Sequence, residues 1–421
     1  MAIEAAETLL ERDRELNELA EALTGAKAGR GRVVVIEAPA GLGKTSLLAA
    51  GSETAVELGF ACLRARATEL ERDFAYGLVR QLLEPVVAKA VESERGQLFQ
   101  GAAGLSRALF APIDATQPSA STDSAFSMLH GLYWLLNNMA DERPVALVVD
   151  DIQWSDAESL RFFNYLAPRL DGLPVAVLAS TRGGEHVSAD LARLTAAPEA
   201  TVLRPRPLST GATATLSKRR LGDDVSPDFV SACREATGGN PFFLEALLRE
   251  VGERKLPPDA SGAAGVRDIG PATVAEAVLL RLAQAPEAAT ALVRSVAVLG
   301  DGASLAEAAR LAELDEQEAV RAADLLAAVA ILKPGERLEF AHPIVREAVY
   351  ADIGSRARAQ AHARAVGILA EGATSEERIA AQIVEAEPAA DPKRVELLRR
   401  VAADAHTRGA PGAAAAWLRR A

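Results

Sequence analysis

The run Val33-Val34-Val35-Ile36-Glu37-Ala38-Pro39-Ala40-Gly41-Leu42-Gly43-Lys44-Thr45-Ser46-Leu47-Leu48 constrains this chain more than any other part of it. An apolar strand passes through a loop with two glycines into a helix that opens on Lys-Thr. Matched to G-x-x-x-x-G-K-[ST], the motif covers Ala38 to Thr45, with Ala38 in place of the first glycine. Gly41 and Gly43 let the backbone fold into a tight cradle whose N–H groups point at an anion. Lys44 adds a point charge for β- and γ-phosphates, the Thr45 hydroxyl is a Mg²⁺ ligand, and the helix N-terminus favours the same negative charge. Residues Ala38, Pro39, Ala40, Gly41, Leu42, Gly43, Lys44, Thr45 and Ser46 form the expected nucleotide-binding loop, with ATP or ADP and Mg²⁺ as its ligands.

A second apolar strand, Val145–Val149, ends in Asp150-Asp151. Paired with such a loop, Asp150 is expected to hold the Mg²⁺ shell and Asp151 to polarise the attacking water. Aspartate is one methylene shorter than glutamate at that task, so slow turnover is expected. A further strand, Pro174–Ser180, is followed by Thr181-Arg182, and Arg182 is placed to sense a γ-phosphate. The catalytic set is therefore Asp151, Lys44 and Arg182, and the metal set Thr45 and Asp150.

Apolar strands separated by helices predict a parallel sheet covered on both faces, an α/β P-loop NTPase fold. The domains are expected at 1–205 (nucleotide-binding), 206–270 (helical lid and linker), 271–352 (winged-helix-like) and 353–421 (the start of a TPR-like helical repeat). Residues 105–122 read as a Pro/Ser/Thr loop and 253–271 as a linker. Ile331–Phe340 reads as a hairpin, and Trp154 is expected to pack at the sheet edge.

Composition narrows the function. A net charge of −12 argues against a general nucleic-acid surface. The two cysteines, Cys62 and Cys233, have no metal or disulfide spacing, which suits a reduced, cytoplasmic setting. No apolar stretch approaches the ~20 residues of a membrane span.

Together the motifs resemble the nucleotide-binding module of STAND-class signal-transduction ATPases, and more narrowly the large ATP-binding LuxR-type (MalT-like) transcriptional regulators. The resemblance runs through LERDREL, EAPAGLGKTSLL, LVVDDIQWSDAESL, TGGNPFFLEALL and LEFAHPIVREAVY. It implies that Arg12 lies near the adenine or ribose, that Pro241 packs on the base from the lid, and that His342 reaches the β-phosphate of ADP. On the residues alone, Arg12 also suits a solvated helix charge, Pro241 a first helical position, and His342 a helix cap. The resemblance also implies an inducer, a small molecule or a protein, acting through the helical repeat, and self-association. Family members end in a helix-turn-helix, whereas no basic recognition helix appears here. The chain is thus expected either to be a fragment of a longer regulator or a standalone ATPase, and not to bind DNA itself. The rival readings are a turnover ATPase and a scaffold that binds nucleotide without hydrolysis.

Overall fold

The computed structural model describes residues 9–110, 122–183, 188–269, 282, 285–329, 331–341, 343–372 and 374–421. Five strands form one parallel sheet: β1 (Arg32–Glu37), β2 (Ala61–Arg66), β3 (Val145–Asp150), β4 (Val175–Thr181) and β5 (Ala200–Leu203). Their order is β2-β3-β4-β1-β5, so β4 lies between the strand that feeds the glycine loop and the strand that ends in the acid pair. Alternate strand residues point to opposite faces. Val34, Ile36, Ala146, Val148, Ala176 and Leu178 pack on one face, against helices Asp13–Lys27 and Lys44–Glu57. Their neighbours Val33, Val35, Val145, Leu147, Val175 and Val177 enter a larger core on the other. Both faces are covered, and this is why the strands read as continuous apolar runs.

Beyond β5 the chain is largely helical. Helices Thr210–Leu221, Pro227–Thr237, Pro241–Glu253 and Ala260–Ile269 share a core built on Phe229, Cys233, Leu244, Leu248 and Val266. The last of them corrects the expectation of a linker over 253–271. Gly, Ser and Asp serve helix geometry there: Asp259 Oδ1 accepts the Ser261 and Gly262 N–H groups at 2.8 and 3.1 Å. A Cβ on Gly262 would stand 1.8 Å from the Pro257 carbonyl oxygen. The expected loop over 105–122 is also corrected at its start, since Gly101–Leu109 is a 3₁₀ helix with Ala103 and Leu109 in the core. Residues 111–121 lie outside the described residues.

A further core gathers helices Glu287–Leu299, Leu305–Ala312, Glu316–Ala328, Pro343–Asp352 and Ser355–Ala370. Two short antiparallel strands, β6 (Ala303–Ser304) and β7 (Arg337–Leu338), and the bridge Leu332↔Phe340 lie at one edge of this C-terminal unit. Helices Glu376–Glu385, Pro392–Thr407 and Pro411–Leu418 come last. They turn back onto the sheet domain, where Ala380, Val401, Ala405 and Trp417 join the core that contains β3. Trp417 meets Phe74 with ring centroids 6.3 Å apart. Among the described residues, no helix is long and apolar enough to cross a membrane.

Candidate functional site

The glycine loop curls over the carboxyl end of β1. Gly41 and Gly43 both hold φ +86, a left-handed conformation that alanine would adopt only under strain. Ala38 donates its N–H to the Thr181 carbonyl at 3.2 Å, which prolongs the β1–β4 pairing by one residue, and its methyl group is buried. The substitution of the first glycine is therefore accommodated without opening the loop. Lys44 is buried, with Nζ donating to the carbonyls of Ala38 and Pro39 at 2.8 and 3.1 Å. Burial pushes the Lys44 ammonium below the usual lysine range, and the Asp151 charge opposes that shift.

The Thr45 hydroxyl donates to Asp150 Oδ2 at 3.0 Å. These are the two hard oxygen ligands a Mg²⁺ ion would need from the chain. No group of three or more His, Cys, Asp or Glu side chains among the described residues could hold a metal alone. The donor set suits a cation that keeps waters and shares phosphate oxygens, as Mg²⁺ does.

Asp151 takes a left-handed φ of 55. Its N–H donates to Ser180 Oγ at 2.9 Å, while the Ser180 hydroxyl donates to Asp150. The ends of β3 and β4 are locked together in this way. Gln153 extends the lock, donating from Nε2 to Asp151 Oδ1 at 2.9 Å and accepting the Arg182 N–H at 3.1 Å. The Arg182 guanidinium lies 3.8 Å from Asp151 and bonds Glu347 of the C-terminal unit.

Helix Pro241–Glu253 starts directly on the loop. Asn240 caps it, accepting the Phe242 N–H at 3.0 Å, and donates from Nδ2 to the Ala40 carbonyl at 2.9 Å. A cleft of about 370 Å³ results. The structure brings Ala40, Gly41, Gly43, Lys44, Thr45, Ser46, Asp150, Asp151, Arg182 and Pro241 to its walls, together with Arg66, Phe242, Glu245, Lys333, Phe340 and Ala341.

The other expected site residues fall elsewhere. Ala38, Pro39 and Leu42 border a separate groove beside Arg204 and Pro205. Arg12 is buried and is not among the residues lining this cleft. Its guanidinium donates to the carbonyls of Glu11, Leu42 and Arg206, at 2.9, 3.4 and 2.8 Å, and so ties the loop to the chain that runs from β5 into helix Thr210–Leu221. Burial lowers its proton affinity, with Glu15 and Glu11 opposing. His342 lies outside the described residues; Ala341 before it lines the cleft. Trp154 packs, partly buried, against the core that contains β3, and also borders a small cavity beside Asp151.

Sequence reasoning missed Arg66, although the signal was available. In a parallel sheet with ligands at the carboxyl ends of the strands, the last residue of β2 stands level with Asp150, its register partner. Asp156 was also missed as a structural centre. It is fully buried and accepts N–H groups from Tyr76, Leu78 and Ser159 at 3.0, 3.3 and 2.8 Å, joining the starts of two helices. Burial pushes its carboxyl up to about 6, against the pull of those hydrogen bonds.

Strand order, loop and acid pair define the class: an α/β P-loop NTPase fold followed by a helical C-terminal region. Within it, residues 8–178 match the AAA ATPase domain. The chain is 25% identical over 390 residues to an uncharacterized protein of Rhizobium meliloti (strain 1021), a match covering 85% of this chain and 36% of that protein. In structure it is similar to the Signal Transduction ATPase with Numerous Domains (STAND) protein with a tetratricopeptide repeat sensor from Pyrococcus horikoshii. The TM-score is 0.55 at 16% identity, over 98% of this chain and 58% of the other. The chain thus spans about a third of its Rhizobium relative and somewhat over half of the Pyrococcus protein.

Proposed function

We propose that this chain is an ATP/ADP-dependent switch with slow Mg²⁺-dependent hydrolysis, the nucleotide-binding part of a transcriptional regulator. The observation that carries the reading is that three parts of the chain wall a single cleft: the loop and strand ends, the lid helix at Pro241, and the C-terminal unit at Lys333, Phe340 and Ala341. A ligand held there touches all three, so its binding energy depends on their mutual arrangement.

In this reading Lys44 leaves its two loop carbonyls for the β- and γ-phosphates, and Thr45 and Asp150 would hold a Mg²⁺ ion. Bound Mg²⁺ supplies charge neutralisation of the phosphates. Asp151 orients the attacking water, and its short side chain, already engaged by Gln153 and close to Arg182, keeps the rate low. Pro241 packs on the base, Arg12 fixes the loop near the nucleoside, and His342 contacts the β-phosphate. Glu347 on Arg182 belongs to the resting, diphosphate-favouring state. We read 1–205, 206–270, 271–352 and 353–421 as nucleotide-binding, lid, winged-helix and repeat domains. By analogy with the repeat sensor of the Pyrococcus protein, the last helices belong to a sensor for an inducer.

Lys44→Ala tests the reading. A nucleotide at a thousand times its dissociation constant stabilises by about 4 kcal/mol. At roughly 2–4 °C per kcal/mol for a domain of this size, that is a rise in Tm of about 10 °C. Wild type is expected to show the rise with ATP and Mg²⁺, and the variant none. An equal rise in the variant refutes the assignment.

A further inference from the structure

Arg66 and Asp301 have no part in the mechanism above, yet the fold takes care to bring them together. Arg66 ends β2, with Nη2 3.8 Å from Asp151 Oδ2 and Nη1 3.0 Å from Asp301 Oδ2. Asp301 comes from the C-terminal unit, in the turn Gly300-Asp301-Gly302 that closes helix Glu287–Leu299. Both glycines are left-handed, at φ +87 and +85. A Cβ on Gly300 would lie 3.1 Å from Leu70 Cδ1, so the turn is seated tightly on the segment that follows Arg66. The second Asp301 oxygen accepts the N–H of Phe340, a wall of the cleft, at 3.0 Å. This carboxylate is fixed from both sides.

Arg66, Asp151 and Arg182 also line a second, narrow space of about 40 Å³, enough for one or two waters. Three arginines line it (Arg66, Arg182 and Arg346), against four carboxylates (Glu69, Asp151, Asp301 and Glu347). The guanidinium charge there is already balanced, and an incoming phosphate has to displace a carboxylate. Two of those carboxylates, Asp301 and Glu347, belong to the C-terminal unit. The Glu347 side chain is 52% exposed, so solvent screens its bond to Arg182, whereas the Asp301 side chain is 11% exposed. The more shielded Asp301 carboxylate is the one whose exchange a nucleotide must overcome.

We propose that Arg66 is a further nucleotide-binding residue, for the terminal phosphate of a triphosphate, and that Asp301 is the internal anion occupying it when that phosphate is absent. Together they set the preference of the site between nucleoside tri- and diphosphate. A diphosphate ends at Lys44 and leaves the Arg66–Asp301 pair intact. A triphosphate carries its extra charge toward Arg66 and competes with Asp301 for it. The inference rests on the cleft being the nucleotide site.

The test is calorimetric binding of ATP and ADP, with Mg²⁺, to the full chain and to Asp301→Asn, Arg66→Gln and the double variant. Asparagine keeps the carbonyl oxygen that accepts the Phe340 N–H and removes only the charge. D301N is expected to tighten ATP about tenfold, a change of ~1.4 kcal/mol, with ADP changed less than about threefold. R66Q is expected to weaken ATP by a similar factor, again sparing ADP, and to shrink the gain from D301N when the two are combined. Arg66→Lys is the second probe should R66Q fail to fold, and it is expected to retain part of the ATP preference. Equal shifts for ATP and ADP, or an undiminished D301N gain in the R66Q background, overturn the proposal alone. A wild-type chain that binds neither nucleotide overturns the reading of the cleft as well.

Discussion

Replacing Gly41 with alanine strikes the point where the phosphate loop carries helix Pro241–Glu253. Gly41 holds φ +86, and a Cβ there would stand 2.5 Å from Oδ1 and 2.8 Å from Nδ2 of Asn240. Two costs add. The left-handed backbone disfavours alanine by ~1–2 kcal/mol. The methyl group also evicts the Asn240 amide, which caps helix Pro241–Glu253 at Phe242 and bonds the Ala40 carbonyl. Losing the cap costs about 1 kcal/mol, and losing the hydrogen bond about 1 kcal/mol more. G41A is thus expected to destabilise the protein by roughly 3–4 kcal/mol, and Asn240→Ala, which adds no clash, by about 2. In the double variant the methyl group has nothing to evict. Only backbone strain and the lost amide remain, and the total stays near 3–4 kcal/mol rather than the ~5–6 of simple addition. Urea unfolding of the four proteins, followed by circular dichroism, measures this. Additivity within about 0.5 kcal/mol would refute the reasoning, because it would mean that position 41 and Asn240 do not meet.

Asp150→Asn is expected to weaken the Mg²⁺-dependent part of ATP binding, since one of two oxygen ligands loses its charge. Asp151→Asn is expected to leave binding near wild type and slow phosphate release tenfold or more; identical behaviour of the two in calorimetry and turnover would erase the division of roles. Asp156 carries a pH signature. Its carboxyl is raised from 3.8 to about 6, so the folded state holds the proton more tightly and gains stability below about pH 4 that is lost as pH rises through 6. Two units correspond to about 3 kcal/mol. The stability difference between wild type and Asp156→Asn should therefore favour wild type more at pH 4 than at pH 7, and a difference independent of pH in urea unfolding would contradict the burial argument.

Much of the sheet domain was legible because its signals are local. Apolar runs of six residues, a glycine loop and an acid pair each report on their own neighbourhood, and the parallel order follows from helices between strands. What was hidden depends on partners distant in sequence. Nothing near Arg66 announces Asp301, 235 residues later, or that a Gly-Asp-Gly turn would carry that carboxylate to the end of β2. Arg12 was readable as important but not as a ligand of three carbonyls, because backbone acceptors leave no trace in side-chain patterns. The segment over 253–271 misled for a related reason. Its small and turn-forming residues allow a close helix approach at Gly262, and the same composition describes a linker.

The contact between Phe74 and Trp417 gives the molecule a built-in optical gauge. The chain has three tryptophans. Trp417 sits where the last helices meet the segment after β2, Trp154 borders the cavity beside Asp151, and Trp134 lies at the outer surface on helix Thr122–Glu142. Indole emission depends on polarity and on neighbouring rings, so each reports a different place. With Trp134 and Trp154 replaced by phenylalanine, the remaining emission would follow the seating of the C-terminal helices alone. With Trp134 and Trp417 replaced, it would follow events at the acid pair. Recorded on the same rapid-mixing instrument after ATP addition, the two traces would give the order in which the site and the distant helices move, without any attached dye.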